Sequence, residues 1–517
     1  MITANTPMDQ LPDDCNTLKQ MIMTLLSQID DLNGQLYYLK RQLFGKKSER
    51  LDPAQRLLFE NLYDEIKAKV QQQQPETKKP KTRSNANHKG RRPLPDDLPR
   101  KVIEIEPVEQ EKVCPVCHKP KQRIGSEETE KLEYVPASFY VKKYVRYKYA
   151  CKDCQSQISI GNLPAMAIDK GIAGEGLLAH IITSKYNDHN PLNRLEGILK
   201  RHGVDINVST MCDWVAKCAD LLEPLVKRMH KKILESPKIN TDDTPIPVKS
   251  KKRKGSTYNG YLWAYIGDKG NVVFDFTPNR SREGPMKFLG DYGGFVQADA
   301  YSGYDEFFRQ SDATEVGCHA HARRKFEYAM DSDPVRAAHM LVLWGRLYEI
   351  ERKAKGDNYD SAQLLEARQK EAKPILSDIK IALDEYKDQV LPKSPTGKAI
   401  TYSLNQWEAL NRYVDNPILD IDNNISERTL RMVVIGRKNY MFAGSEAGAE
   451  RAAIIYSLVA SCKLNGIDPY LYFRDVLERV SIHPAGKIDQ LLPSNWELSA
   501  SDNDDNVMIK EQIEKVA

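Results

Sequence analysis

Asp420–Arg431 reads DIDNNISERTLR, and the reading of this stretch decides that of the whole chain. It opens as a helix start. Asp422, Asn423 or Asn424 can cap it, and Leu430 with the basic residues Arg428 and Arg431 follows at helical spacing. Glu427 sits in the first turns. Taken alone, it is an intrahelical partner for Arg431, four residues on. Two aspartates far upstream suggest another role: Asp242 in KINTDDTPIPV and Asp299 in GGFVQADAYSGYD. Three carboxylates brought together from two strands and a later helix can hold two divalent ions, and such a pair can drive phosphodiester chemistry.

At 517 residues the chain has room for roughly three or four domains, and its 41% hydrophobic content is enough to fold them. No apolar run approaches a membrane span. The opening MITANTPMDQ has neither the basic start nor the apolar core of a secretory signal, so a cytoplasmic location is expected. The net charge of +4 says little, but its distribution says more: Lys78–Arg92 holds seven Lys or Arg and no Asp or Glu. The nine cysteines are odd in number, and a reducing compartment disfavours disulfides.

Leu18, Ile22, Leu25, Ile29, Leu32, Leu36, Leu39 and Leu43 alternate four and three apart, the period of a coiled coil. Residues 1–75 are read as a dimerisation region. A basic, Pro-rich linker at 76–102 follows; Lys89, Arg91 and Arg92 in it can lie on a phosphate backbone or simply be solvated. In 103–164, Cys114-x-x-Cys117 and Cys151-x-x-Cys154 flank the alternating stretch SFYVKKYVRYKYA. Two such knuckles fit one closed, tetrahedral zinc site in a ribbon-like module. Helical segments fill 165–235. Gly203 closes the second and Ser209 can cap a third near Thr210, a helix-turn-helix pattern for DNA or a packing scaffold.

Residues 236–330 change to short apolar strands, KINTDDTPIPV, YNGYLWAYIG, NVVFDFTP, GGFVQADA and TEVGC, with helical pieces after them. This is a mixed α/β layer with Asp242 and Asp299 on strands. Because side chains alternate, Asp243 should face away from Asp242. A charged helical stretch spans 331–412. The Glu427 segment occupies 413–445, and a helical region with an acidic tail closes the chain at 446–517.

These motifs, in this order, resemble the DDE transposases of bacterial insertion sequences, specifically the large transposase of the insertion-sequence-66 type. The resemblance is nearly full-length. It covers LKRQLFGKKSER, the cysteine knuckles, SKYNDHNPLNRLEGILKRHGV, DDTP, GFVQADAYSGYD, CHAHARRKF, DNNISERTLR and GRKNYMFAGS. It implies a ribonuclease-H-like core broken by a helical insertion, with Asp242, Asp299 and Glu427 as its catalytic acids. Two magnesium or manganese ions are implied per site, beside one structural zinc. Cys318 and His321 match a Cys-x-x-His element after the second aspartate. Two residues depart from the family pattern: Asp243 stands where a glutamate is usual, and His319 where an aromatic residue is usual. The implied partners are double-stranded DNA (element ends and target), a second copy of the chain or more, and small companion proteins of the element. No membrane is implied, and the setting is the nucleoid. Arg323, Arg324, Lys325, Arg437 and Lys438, with Arg428 and Arg431, are the phosphate-contact candidates of the core.

Two other classes fit part of the pattern. A dimeric DNA-binding regulator with an inert core needs no carboxylate trio, and a nuclease of the same fold hydrolyses without joining ends. The zinc reading is tested directly. Freshly purified protein should carry one zinc per chain, and Cys151→Ser should release it and unfold the module locally; protein free of zinc on metal analysis would remove the site.

Overall fold

The structure, a computed structural model, describes Asp14 and residues 139–150, 158–169, 171–250 and 255–498. The heptads of Leu18–Leu43, the basic residues Lys89, Arg91 and Arg92, and all of Cys114, Cys117, Cys151 and Cys154 lie outside the described residues. The chain divides into two units, Gln71–Val141 and the remainder, and every described strand and helix belongs to the larger one.

A short antiparallel hairpin pairs β1 (Lys148–Ala150) with β2 (Ile158–Ile160). The helices α1 (Glu175–Tyr186), α2 (Leu192–Arg201) and α3 (Val208–Leu234) come next. Gly203, at φ +79°, ends α2 as a glycine should. The third helix runs well past the short segment suggested by its sequence. Trp214, Cys218, Leu222, Leu225, Met229 and Ile233 keep a buried stripe at spacings of three and four down its length, and Pro224 is accommodated inside it. Ser209 is not its cap. Asn207 holds that position, and the first N–H is met from α2, where Glu196 accepts from Val208 N at 3.2 Å.

A five-stranded mixed sheet follows, in the order β5-β4-β3-β6-β7. Its strands are β3 (Lys238–Lys249), β4 (Thr257–Ile266), β5 (Val272–Thr277), β6 (Phe295–Gln297) and β7 (Thr314–Val316). The first three are antiparallel, and β6 and β7 run parallel to β3. Pro245 and Pro247 look misplaced in a central strand. They are tolerated because β6 pairs only with Lys238–Asn240; beyond it that flank of β3 meets an isolated bridge at Ala443, whose carbonyl accepts from the Lys249 N–H and whose own N–H needs only the Pro247 carbonyl. The small helices α4 (Glu283–Leu289) and α5 (Asp305–Gln310) sit between the later strands.

From β7 the chain leaves the sheet through α6 (His319–Ala329), α7 (Pro334–Gly356), α8 (Ser361–Ala367), α9 (Lys373–Lys387), α10 (Pro395–Asn405) and α11 (Trp407–Asn411). These helices build a second core around Phe326, Trp344, Leu347, Ile379 and Tyr413. Arg368 is buried within it, paired through two nitrogens with Glu351 and donating to the carbonyls of Tyr413 and Asn416. The chain returns as α12 (Asn424–Tyr440) and ends in α13 (Glu446–Leu464) and α14 (Pro469–Arg479). Helix α13 covers the open edge of the sheet: Ser461 and Ser457 accept from the N–H groups of Val272 and Phe274 on β5 at 2.9 and 2.8 Å. Two serines one helical turn apart thus meet two alternate donors of an edge strand, which would otherwise be buried unpaired. Among the described residues no helix is long and apolar enough to cross a membrane.

His319, the unusual residue of CHAHARRKF, is built into the second core. It is fully buried. Trp344 donates to Nδ1 at 3.0 Å, which fixes the tautomer, so Nε2–H donates to the Leu410 carbonyl at 2.9 Å. Burial holds its pKa down at about 4. The unfolded chain therefore takes up this proton first as the pH falls below about 6.5, and the stability His319 confers, full above that pH, is lost toward pH 4. The amount is about 3 kcal/mol at full burial. Melting temperature should fall more steeply between pH 6.5 and 4.5 in the wild type than in His319→Phe, in which every other titrating group is kept. Equal slopes in the two proteins would contradict this.

Candidate active site

The site rests on a buried amide network. Asn240 Nδ2 donates to Gln297 Oε1 (3.1 Å) and to Asn423 Oδ1 (3.0 Å). Asn423 Nδ2 donates to the carbonyl of Thr241 (2.8 Å), its backbone N–H to Cys318 Sγ (3.2 Å), and Ser426 Oγ donates to its Oδ1 (2.8 Å). Gln297 Nε2 donates to the carbonyls of Gly317 and Asp420 at 3.3 and 2.7 Å. Gln297, Asn423 and Ser426 are wholly buried and Asn240 nearly so.

Each candidate acid stands a fixed step beyond one of these amides. Asp242 follows Asn240 by two residues, one pleat along β3; Asp299 follows Gln297 by two, just past the end of β6; Glu427 follows Asn423 by four, one turn into α12. Asn240 and Gln297 are paired in the sheet register. The cap of α12 is shared: Asn423 holds the cap position but spends its side chain on β3, and Asp422 accepts from Asn424 N at 3.1 Å.

The acids feel one another. The Asp242 carboxyl is pushed up to about 8, first by burial and then by Asp299, with smaller contributions from Asp243 and Glu427; the Asp243 N–H, 2.8 Å from Asp242 Oδ1, opposes the shift. Glu427 is not held by Arg431. Its partners are on α6: Arg324 Nη2 lies 3.1 and 3.0 Å from its two oxygens, and His321 Nε2 lies 3.5 Å from Oε1. Burial keeps the His321 imidazole below its usual pKa despite Glu427, and its Nδ1 is buried without a partner. Asp243 is not remote either. Its nearly buried carboxylate accepts from Arg280 Nε and Nη2 at 2.9 and 2.7 Å, and the same Nη2 comes 3.6 Å from Asp299 Oδ2.

Cys318 is a buried thiol pushed up to about 12 by burial, and it serves as the acceptor for Asn423 N. Among the basic candidates, Arg428, Arg431 and Lys438 are exposed on α12. The others are already engaged: Arg323 with Glu327, Arg324 with Glu427, Lys325 over the Tyr402 ring, and Arg437 with Thr244 Oγ1. Arg280, Asn240 and Gln297 are site residues that the sequence reading passed over. The detectable signal was an amide residue two before each aspartate, Asn240 and Gln297; Arg280, in a turn, gave none.

The donor set of the three acids is all carboxylate oxygen, which suits a hard divalent cation, and Asp242 is pushed up first by burial and then by the neighbouring Asp299. As placed, the acids do not close on one point: among the described residues no three acidic, histidine or cysteine groups stand close enough to share an ion.

Family comparisons place the chain among transposases. The model of the Transposase IS66 family matches residues 170–451, and that of the IS66 C-terminal element matches 457–494. The zinc-finger binding domain of transposase IS66 matches 111–155, and the model described as Transposase C of IS166 homeodomain matches 31–103. The chain is also similar to two proteins of Sinorhizobium fredii. Uncharacterized protein y4jD is 32% identical, with 94% of this chain and 97% of the relative covered; y4hP is 31% identical, with 90% and 88% covered. The chain belongs to the IS66 transposase family.

Breaking the amide network should destabilise the fold. Asn423→Ala leaves Asn240, Ser426 and the Thr241 carbonyl short of a partner, and each buried unpaired group costs about 1–3 kcal/mol. Its melting temperature should drop by several degrees, against almost none for the exposed Arg431→Ala. An unchanged melting curve for Asn423→Ala would count against the network.

Proposed function

We propose that this transposase binds the ends of an insertion sequence and catalyses divalent-metal-dependent cleavage of DNA strands and their transfer into target DNA. Asp242, Asp299 and Glu427 are the metal-holding acids of a ribonuclease-H-like core. The observation that carries this reading is the buried amide network joining β3, β6 and α12, in which Asn240, Gln297 and Asn423 stand two, two and four residues before the three acids. The order β5-β4-β3-β6-β7, three antiparallel strands and then two parallel ones, supports the choice of core.

Two magnesium or manganese ions bound among these oxygens would supply the Lewis acidity that activates an attacking oxygen and stabilises the leaving one. The chain's own residues do the rest. The amide network fixes where the three acids stand. Arg324 neutralises Glu427 and must release it before Glu427 can serve as a ligand. On α12, Arg428, Arg431 and Lys438 fall on one stripe of the helix that carries Glu427, where they can follow a phosphate backbone. Arg323, Lys325 and Arg437, and Lys89, Arg91 and Arg92 in the linker, are further phosphate contacts in this reading. It also includes one structural zinc on Cys114, Cys117, Cys151 and Cys154, self-association through Leu18–Leu43, small companion proteins, and a cytoplasmic setting on the nucleoid.

The test is the joining of pre-cleaved element ends to a target plasmid with magnesium, at equal DNA occupancy. Glu427→Gln keeps the size of the side chain and removes its charge. It should lower joining by at least about a hundredfold while end binding holds, and Asp242→Asn and Asp299→Asn should do the same; combined, they should cost little more than singly. If Glu427 serves only as an ion-pair partner of Arg324, joining will barely change, and the three-acid reading falls. Cleavage without joined product would leave a hydrolase instead.

A further inference from the structure

Arg280 occupies a position that neither the motifs nor the family comparisons mark. It follows β5 in a turn held by two hydrogen bonds: Trp263 Nε1 donates to Thr277 Oγ1 at 2.8 Å, and Thr277 Oγ1 donates to the Asn279 carbonyl at 2.8 Å. The turn is also tightly packed, since a Cβ at Gly284 would meet the Thr277 methyl at 2.8 Å. The guanidinium lies 4.0 Å from the centre of the Tyr301 ring, and Tyr301 OH donates back to the Arg280 carbonyl. Its Nε and Nη2 are both taken by one oxygen of Asp243, and Nη2 reaches Asp299 Oδ2 at 3.6 Å. Tyr301 is two residues beyond Asp299. One side chain therefore grips the residue after Asp242, the acid of Asp299 and the ring that follows it.

We propose that Arg280 is a positioning residue of the metal site. Anchored by Asp243 and stacked on Tyr301, it holds the Asp299 carboxylate in its ligating orientation and keeps Asp243 engaged, so that Asp243 does not compete with Asp242 for the ion. A planar guanidinium suits this task. Its fork can bind one acid firmly and a second loosely while one face stacks on a ring, and a lysine ammonium cannot reproduce that. The same geometry explains the acid at 243: without it, Arg280 would pair with Asp299 outright and hold it from the cation. This inference rests on the three-acid reading of the site.

The experiment is a Mn²⁺ titration of the full-length protein without DNA, read by the electron paramagnetic resonance of free Mn²⁺. It is paired with the end-joining assay and a melting curve. Arg280→Gln and Asp243→Asn should each weaken Mn²⁺ binding and lower joining by roughly tenfold or more, as loss of a group that orients a metal ligand commonly does. The double variant should be no worse than the worse single, because the two residues act as one unit. Asp243→Glu should restore most of both readouts, and Arg280→Lys should not. Wild-type Mn²⁺ affinity in both single variants would overturn the proposal, as would effects that multiply in the double variant. So would a loss of joining that follows a fall in melting temperature while Mn²⁺ affinity is unchanged. Glu427→Gln serves as the control. If it binds Mn²⁺ and joins ends as the wild type does, the three-acid reading itself fails; if it fails while Arg280→Gln behaves as wild type, only the role of Arg280 is lost.

Discussion

The constraint on which this structure depends is the hydrogen bonding of Asn423. A single buried amide ties the start of α12 to β3, through Asn240 and the Thr241 carbonyl, and its own backbone N–H ties it to Cys318 ahead of α6. Inside a core such groups have no water to fall back on, so the network is stabilising only when every member is met. That requirement makes it a register device. A slip of one residue in β3 would turn Asn240 and Asp242 to the other face together, and a shift of α12 along its axis would break the amide bonds before it moved Glu427 far.

Placing acids over a buried network has an electrostatic cost, and the fold limits it in three ways. Glu427 lies in the first turn of α12, where the helix dipole favours a negative charge, and Arg324 covers both of its oxygens. Asp243 is neutralised by Arg280. No cationic side chain counters the rise of Asp242, and it is the acid pushed up to about 8, by burial first. The unmet negative charge thus falls on the most buried of the three acids, with Asp299 as the largest charged contributor. A cation entering there would gain most from Asp242 and Asp299, and would have to draw Glu427 from Arg324.

Much of this was legible in the sequence, for definite reasons. The five strands announced themselves because each is a β-branched or aromatic run closed by turn residues; Asp242 lay on one and Asp299 just past the end of another, and DNNISER was a helix start. Local pattern fixes such elements. What it did not fix were contacts between distant segments. Glu427 and Arg431 have ideal i, i+4 spacing, yet Arg324, 103 residues away, holds the glutamate. Strand alternation put Asp243 on the far side, but Arg280 brings it back into contact with the site. The length of α3 was missed because its apolar stripe continues through Pro224, well past the short segment read from Ser209. His319 could not be interpreted without Trp344 and Leu410, which reach it from separate helices.

The same contacts explain how a set of helices with its own core can interrupt the sheet-bearing unit without disturbing it. The chain leaves the sheet after Val316 and returns at Ile421, and the two ends meet. His319 N donates to the Ile421 carbonyl at 3.1 Å, Cys318 accepts from Asn423 N, and Gln297 donates to the carbonyls of both Gly317 and Asp420. With the ends pinned this closely, the intervening helices close a loop whose entropy grows only slowly with length. They fold around their own core of Trp344, Leu347 and Ile379, and they contribute Arg324 and His321 to the site through α6 alone. The position of Glu427 is therefore set by the joint and not by the domain beyond it. The joint is a set of short hydrogen bonds among groups buried where sheet, α6 and α12 converge, and this local closure lets a glutamate more than a hundred residues from either aspartate share their field.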